Sequence, residues 1–342
     1  MGTPTRPADL VFLHLSDIHF RRGRVGDAHD EDNDLRNELG RDLRRLRPRL
    51  PGLDGLIISG DIAFGGKKEE YDYAGGWIGS ICEMIDCDRR SIMITPGNHD
   101  VDQDLIPPDG EVDVLHEEIR GAESLGGYDE LLAGTLRDAV RAEKLLSPLA
   151  AYNSFANAFG CQVTAARPYW ERDFGLGDGT KLRFRGMATV LLSSPRDDIE
   201  THKMLYGGAQ RTILRLPNVR HAVVGHHPPS WTVEADTAEH VFSMRTCLQV
   251  FGHRHEQFLT RIGESVRLIA GAVHPRRGEL QWQPRYAAIA ISAANAGSLA
   301  ICIYPRRWSN DELRFMPDYN SEGDAFREFT VAVDPRQTEG EE

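Results

Sequence analysis

Short runs of consecutive apolar residues alternate along this chain with segments of helical periodicity, and several of the runs end in a compact polar motif. The runs are Leu10 to Leu15, Gly55 to Ser59, Ser91 to Thr95, Arg220 to Val224 and Thr246 to Phe251. Each has the length and composition of a buried strand feeding a loop. Between the first two, Leu35, Leu39, Leu43 and Leu46 recur at helical spacing among arginines and acids. That spacing predicts an amphipathic helix over 35–47, stopped by Pro48 and Pro51-Gly52. A second helix is expected from about Glu70 to Ile85. Strand, helix, strand in this rhythm predicts a largely parallel sheet with helices on its faces, its chemistry gathered beyond the carboxyl ends of the strands.

After Val101 the pattern changes. A loop at Pro107-Pro108-Asp109-Gly110 precedes helix-forming stretches over 112–120, 128–146 and 148–159. We read residues 101–161 as a helical insertion, either a cap over the site or a peripheral decoration. Strands are expected again at Lys181 to Arg185 and Ala188 to Ser193. Antiparallel strands are expected at Val266 to Ala272, Tyr286 to Ile291, Ser298 to Tyr304 and Phe326 to Val333. Tyr169-Trp170 and Trp231 have two uses open to them, base stacking and core packing, and core packing is the expectation. With no internal repeat and no low-complexity linker, one domain over 9–305 is expected. A polar tail (1–8) precedes it and an extension with an acidic tail (306–342) follows.

At 342 residues the chain is long enough to bury a substantial core. A net charge of −12 argues against a sequence-independent grip on DNA or RNA. Part of that acidity, over 27–34 and 339–342, reads as solvated or disordered. No apolar run approaches the roughly 18 residues of a membrane span, so no membrane partner is expected. The polar start reads as no secretory signal, and Arg6 stands where myristoylation wants Ser or Thr. Five cysteines without a C-x-x-C pair suggest reduced, mostly buried thiols and a cytoplasmic location.

The chemistry lies in five fragments: Asp17-Ile18-His19, Gly60-Asp61, Gly97-Asn98-His99-Asp100, Gly225-His226-His227-Pro228 and Gly252-His253-Arg254-His255. Imidazole and carboxylate are the ligand types that hold Mn, Fe, Zn or Co with positions left open for water and substrate. Asp17 and His19 are two apart, as are His253 and His255, so in extended chain each pair projects one way. Glycine before Asp61 lets the backbone come close to a metal pair. His14, deeper in its strand, reads as a satisfied structural histidine. Lys67 and Lys68 have two readings, phosphate attraction and a solvated helix start. Arg254 likewise reads as a phosphate contact or a solvent-facing side chain.

D-x-H, G-D, G-N-H-D, a histidine and G-H-x-H in this order resemble the calcineurin-like metallophosphoesterases, over roughly residues 9–305. The resemblance implies an α/β fold, the metallophosphoesterase four-layer α/β/β/α sandwich, here with a helical insertion. It implies two divalent metal ions. Asp17, His19, Asp61 and His255 hold one, with Asp61 bridging, while Asn98, His226 and His253 complete the second site. It makes His99 and Asp100 catalytic, His99 facing the substrate with Asp100 as its partner, and puts His227 and Arg254 near the substrate. The implied reaction is hydrolysis of a phosphodiester by water activated between the ions. The protein Ser/Thr phosphatases of this fold carry an Arg-Gly after Gly-Asp and a Glu ending the Gly-Asn-His motif, but here Ala63-Phe64-Gly65 and Asp100 stand there. The motifs most resemble the class III cyclic-nucleotide phosphodiesterase branch, which implies a small phosphodiester or nucleotide substrate. A Mn-dependent nuclease of the DNA-repair branch, with nucleic acid as substrate, is the alternative. A non-catalytic metal- or nucleotide-binding regulatory module is the reading from another class.

Overall fold

The computed structural model describes residues 7–23, 30–197, 201–278, 282–294 and 297–332. Most of the expected N-terminal tail, the start of the acidic stretch at 27–29 and the acidic C-terminal tail lie outside the described residues.

Strand β1 (Leu10–Leu15), helix α1 (Asn33–Leu46), strand β2 (Gly55–Ser59), helix α2 (Lys68–Ile85) and strand β3 (Ile92–Thr95) follow the expected rhythm. The three strands are fully buried and pair in parallel, β1 with β2 and β2 with β3. Leu35, Leu39 and Leu43 form the buried stripe of α1. The described part of the acidic stretch is ordered by local pairing, because Asp30 binds the Arg36 guanidinium and Asp34 sits in the first turn of α1.

The insertion is helical, with α3 (Glu111–Arg120), α4 (Leu125–Arg137), α5 (Ala139–Leu146) and α6 (Ala150–Ala156). The single helix expected over 128–146 is two. Asp138 leaves helical geometry and its carboxylate accepts from the amides of Val140 and Arg141, capping a new start.

A second sheet begins with β4 (Tyr169–Gly175) and β5 (Lys181–Met187). The strand expected at Ala188 to Ser193 is absent. The Gln210 carboxamide, in α7 (Gly208–Arg211), satisfies both the amide and the carbonyl of Ala188, the backbone groups a neighbouring strand would otherwise engage. The sheet continues with β6 (Val219–Val224), then α8 (Ala235–Arg245), β7 (Leu248–Phe251), β8 (Phe258–Ile262) and β9 (Ser265–Ile269). Its order is β4-β5-β6-β7-β9-β8.

Strands β10 (Arg285–Ala293), β11 (Ser298–Ser309), β12 (Arg314–Pro317) and β13 (Arg327–Ala332) return to the first sheet. Its order is β12-β11-β10-β1-β2-β3, with β13 also on β11. The expected boundary between residues 305 and 306 therefore falls inside β11. Arg306 secures this region to α1 by binding the buried Asp42 carboxylate, which also accepts from Tyr286.

The two sheets face one another through aromatic side chains. Phe12 of β1 meets Phe174 and Phe184 edge-on, with ring centroids 4.9 and 5.0 Å away. Burying one such ring is worth roughly 1.5–3 kcal/mol. Trp170 is also buried and its indole N–H donates to the Ile94 carbonyl at 2.7 Å, tying β4 to β3, so core packing is its use. The carboxyl ends of β1, β2, β3, β6 and β7 thus open toward one place, where the five polar motifs lie. Among the described residues, no helix is long and apolar enough to cross a membrane.

Candidate metal centre

Strand β1 ends at Leu15, and the backbone then turns sharply. Asp17 and His19 have φ of 54° and 55°, in the left-handed region. Asp61 (52°), His253 (71°) and His255 (56°) share it. Non-glycine residues rarely adopt this conformation, and such strain clusters at functional sites. The expectation that the paired ligands share a face of extended chain is therefore corrected. A strand would have placed Asp17 and His19 on one side of a sheet, whereas the left-handed turns swing both inward while Ile18 packs in the core. His14 stays within β1 and pairs Nε2 with Ser59 Oγ at 2.9 Å, a structural role.

These turns hold each other. The amides of Ile18 and His19 both donate to the Asp61 carbonyl, at 2.9 and 3.0 Å. Glycine matters at two positions. A Cβ on Gly60 would lie 2.4 Å from His226 Nδ1, and one on Gly97 would lie 2.2 Å from Asp61 Oδ1. The close approach that Gly60 permits is thus to an imidazole.

Asp61 divides its carboxylate. Oδ1 accepts from the His99 amide at 2.9 Å. Oδ2 lies 3.2 Å from His19 Nε2 and 3.3 Å from His226 Nε2. On one side, His255 Nε2 is 3.3 Å from Asp17 Oδ1. On the other, His253 Nδ1 is 3.2 Å from Asn98 Oδ1. Ligand atoms each about 2.0–2.2 Å from one transition-metal ion stand at such separations.

The donor set passes a further test. His226 Nδ1 donates to the Ser59 carbonyl at 2.8 Å, which turns Nε2 toward Asp61. That Nε2 and Asp17 Oδ1 are both buried and meet only an opposing ligand atom, each 3.3 Å away and without hydrogen-bond geometry. Such orphaned atoms are costly unless something else engages them, and a cation would. The electrostatics agree. Burial would raise the Asp61 carboxyl, but His226 and His19 hold it well below the usual range. Burial would depress His226, yet the Asp61 and Asp17 charges raise it to about 9, so the pocket favours positive charge.

His99 sits at the rim, half-buried. Its Nδ1 donates to the Phe64 carbonyl at 2.8 Å, and its ring stacks on Phe64 with centroids 4.9 Å apart. One ring nitrogen of His99 lies within 4.8 Å of the ligand atoms of His19 and Asp61. Asp100 is not its partner, which corrects that expectation. The buried Asp100 carboxylate accepts from the amides of Ile62, Ala63 and Gly97 and from Tyr71 Oη. Those backbone donors surround the carboxylate at close range, while the carbonyl of Phe64 supplies the acceptor for His99. Asp100 thereby shapes the Asp61 and Asn98 loops. Phe64 and Tyr71 were missed from sequence, and the Phe64 contact runs through a backbone carbonyl that carries no side-chain signature.

His227 is buried, bonded through Nδ1 to Thr189 Oγ1 at 2.8 Å, and its ring centroid is 4.3 Å from that of His253. One ring nitrogen each of His226, His227 and His253 lie within 4.8 Å of one another. Trp231 borders this side, its ring centroid 4.1 Å from that of His253. Arg254 is exposed and lies over the Phe258 ring. Lys67 pairs with Asp102 and Asp104, and Lys68 with Asp72. Beside Asn98 and His99 a cleft of about 170 Å³ opens, with Lys67, Asp102 and Asp104 in its wall.

Among solved structures, a purple acid phosphatase from yellow lupin is similar at 12% identity and TM-score 0.49, covering 98% of this chain and 56% of that one. Vps29 from Chaetomium thermophilum is similar at 10% identity and TM-score 0.37, covering 95% and 100%. Phosphopantetheinyl hydrolase from Mycobacterium tuberculosis is similar at 16% identity and TM-score 0.40, covering 81% and 95%. No curated protein matches. The family model described as calcineurin-like phosphoesterase matches residues 10–257, a span that holds every residue converging on Asp61, and the chain belongs to that family.

Proposed function

We propose that this protein is a binuclear metal-dependent phosphodiesterase acting on a small diester, a cyclic nucleotide in the first instance. The observation that carries the reading is Asp61 Oδ2, which lies within 3.3 Å of both His19 Nε2 and His226 Nε2 and so belongs to both halves of the cluster. Asp17, His19, Asp61 and His255 would hold one ion, and Asp61, Asn98, His226 and His253 the other. Two bound divalent ions supply Lewis acidity and a water acidic enough to act as nucleophile near neutral pH. The chain does the rest. Asp61 keeps one oxygen for the ions because the His99 amide holds the other. Phe64 fixes the His99 ring so that Nε2 faces outward, and once Nε2 is also protonated the imidazolium can stabilise charge on phosphoryl oxygen or give that proton to the leaving oxygen. His227 and Trp231 wall the site on the side of His253.

Two features favour a small diester over a long nucleic acid. The chain carries a net charge of −12. In the cleft beside His99, the one lysine is outnumbered by Asp102 and Asp104, which repel further phosphates of a polyanion.

The test is turnover by Mn²⁺-loaded protein of bis(p-nitrophenyl) phosphate, 3′,5′-cyclic nucleotides, p-nitrophenyl phosphate and DNA. Diesters and cyclic nucleotides should be hydrolysed faster than the monoester. DNA cleavage with cyclic nucleotides untouched would instead establish the nuclease. Two bound ions with no turnover of any ester would establish the binding module.

A further inference from the structure

The segment after β9 is tied to the first metal motif. The amides of Val273 and His274 donate to the carbonyls of Ser16 and Asp17, at 2.9 and 3.1 Å. The buried His274 ring donates from Nδ1 to the Ile18 carbonyl at 2.5 Å. On the far side, Trp282 Nε1 donates to the Pro275 carbonyl at 3.2 Å. Arg277 lies over the Trp282 ring and donates to the Glu31 carbonyl at 2.9 Å. Arg276 is thus carried by backbone anchored before and after it, with Pro275 stiffening the approach.

From that position Arg276 Nη2 reaches 3.3 Å from His99 Nε2. Because His99 Nδ1 donates to Phe64, Nε2 carries the lone pair and the guanidinium is the donor. The Arg276 guanidinium also stands 5.9 Å from the centroid of the Phe64 ring, and Arg21 stands 4.0 Å from the same centroid. In an acidic protein, two guanidiniums thus stand beside the stacked Phe64 and His99 rings, and that of Arg276 meets the outward nitrogen of His99. A guanidinium stays charged, and its planar fork matches two oxygens of a phosphate in a way that a lysine does not.

We propose that Arg276 is a phosphoryl-contacting residue, gripping the unesterified oxygens of the substrate on the side of the site formed by His99. This rests on the phosphodiesterase reading above and adds a recognition element to it. With no substrate bound, His99 Nε2 takes the donor that a phosphoryl oxygen otherwise accepts. A diester offers two unesterified oxygens, so a bidentate grip by Arg276 selects an accessible phosphorus rather than any feature of its ester groups.

The test is binding of inorganic phosphate, read by calorimetry on Mn²⁺-loaded wild type and on Arg276→Gln, Arg276→Lys and Arg277→Gln, each checked for metal content and thermal midpoint. Arg276→Gln should weaken phosphate binding about tenfold or more, the loss expected for a charge-assisted pair. Arg276→Lys should recover only part of the loss, and Arg277→Gln should bind as wild type. The variants should keep wild-type metal content and midpoint, and Arg276→Gln should lower kcat/KM for bis(p-nitrophenyl) phosphate. Wild-type phosphate affinity in Arg276→Gln, an equal loss in Arg277→Gln, or no phosphate binding by the wild type would overturn the proposal. If the wild type binds phosphate through Arg276 yet turns over no ester, the assignment of Arg276 holds and the hydrolase reading fails.

Discussion

The backbone amide of His99 donates to Asp61 Oδ1 at 2.9 Å, so the rim residue and the central carboxylate are set by one hydrogen bond. That bond leaves Oδ2 alone to serve His19 and His226. Elemental analysis of protein purified without chelator should approach two transition-metal equivalents per chain, and Asp61→Ala should lower both. Stoichiometric zinc that survives Asp61→Ala unchanged would end the binuclear reading.

The backbone amide of His99, not its ring, makes the hydrogen bond to Asp61, while the ring is held by the Phe64 carbonyl and meets the Arg276 guanidinium. Truncating the ring should therefore spare the ions. His99→Ala should keep its metal content but lose about 10²-fold or more in kcat, the range for removing a general acid or charge stabiliser. Steady-state kinetics beside metal analysis checks this, and unchanged turnover would remove His99 from the mechanism.

His116, in α3 of the insertion, is buried, and burial followed by the Arg120 charge lowers its pKa to about 3 from an ordinary 6.5. Between those values the unfolded chain takes up the extra proton. The stabilisation is thus complete above about pH 6.5 and lost as pH falls toward 3. Unfolding free energies measured at pH 7 and pH 4 should differ less in His116→Leu than in wild type, by about 3 kcal/mol. Equal differences would mean that His116 is not held neutral in the folded protein.

Asp42 and Arg306 join α1 to β11 within the core. Arg306→Met would strand a buried carboxylate, which costs about 3–5 kcal/mol. Urea denaturation should show that loss, and Asp42→Asn in the same chain should recover part of it. A cost below about 1 kcal/mol would mean that solvent screens the pair.

The apolar runs determined β1, β2, β3, β6 and β7 from sequence, because a strand buried on both faces writes its burial into every residue. The order of polar motifs after those runs likewise named the residues that converge on Asp61. Strands β4 and β8 escaped notice because their exposed and half-buried positions leave no continuous apolar run. The break at Asp138 and the missing strand after Met187 were decided by single side chains meeting backbone groups. Tertiary structure alone decided how the ligands turn inward, since the left-handed backbone at Asp17, His19, Asp61, His253 and His255 is imposed by neighbouring loops rather than by local propensity. It also decided that Phe64 rather than Asp100 holds the His99 ring, and that Arg276 reaches His99 across 177 positions of sequence. Those contacts join residues with no fixed spacing along the chain, and hydrophobic pattern records burial, not which polar atom meets which.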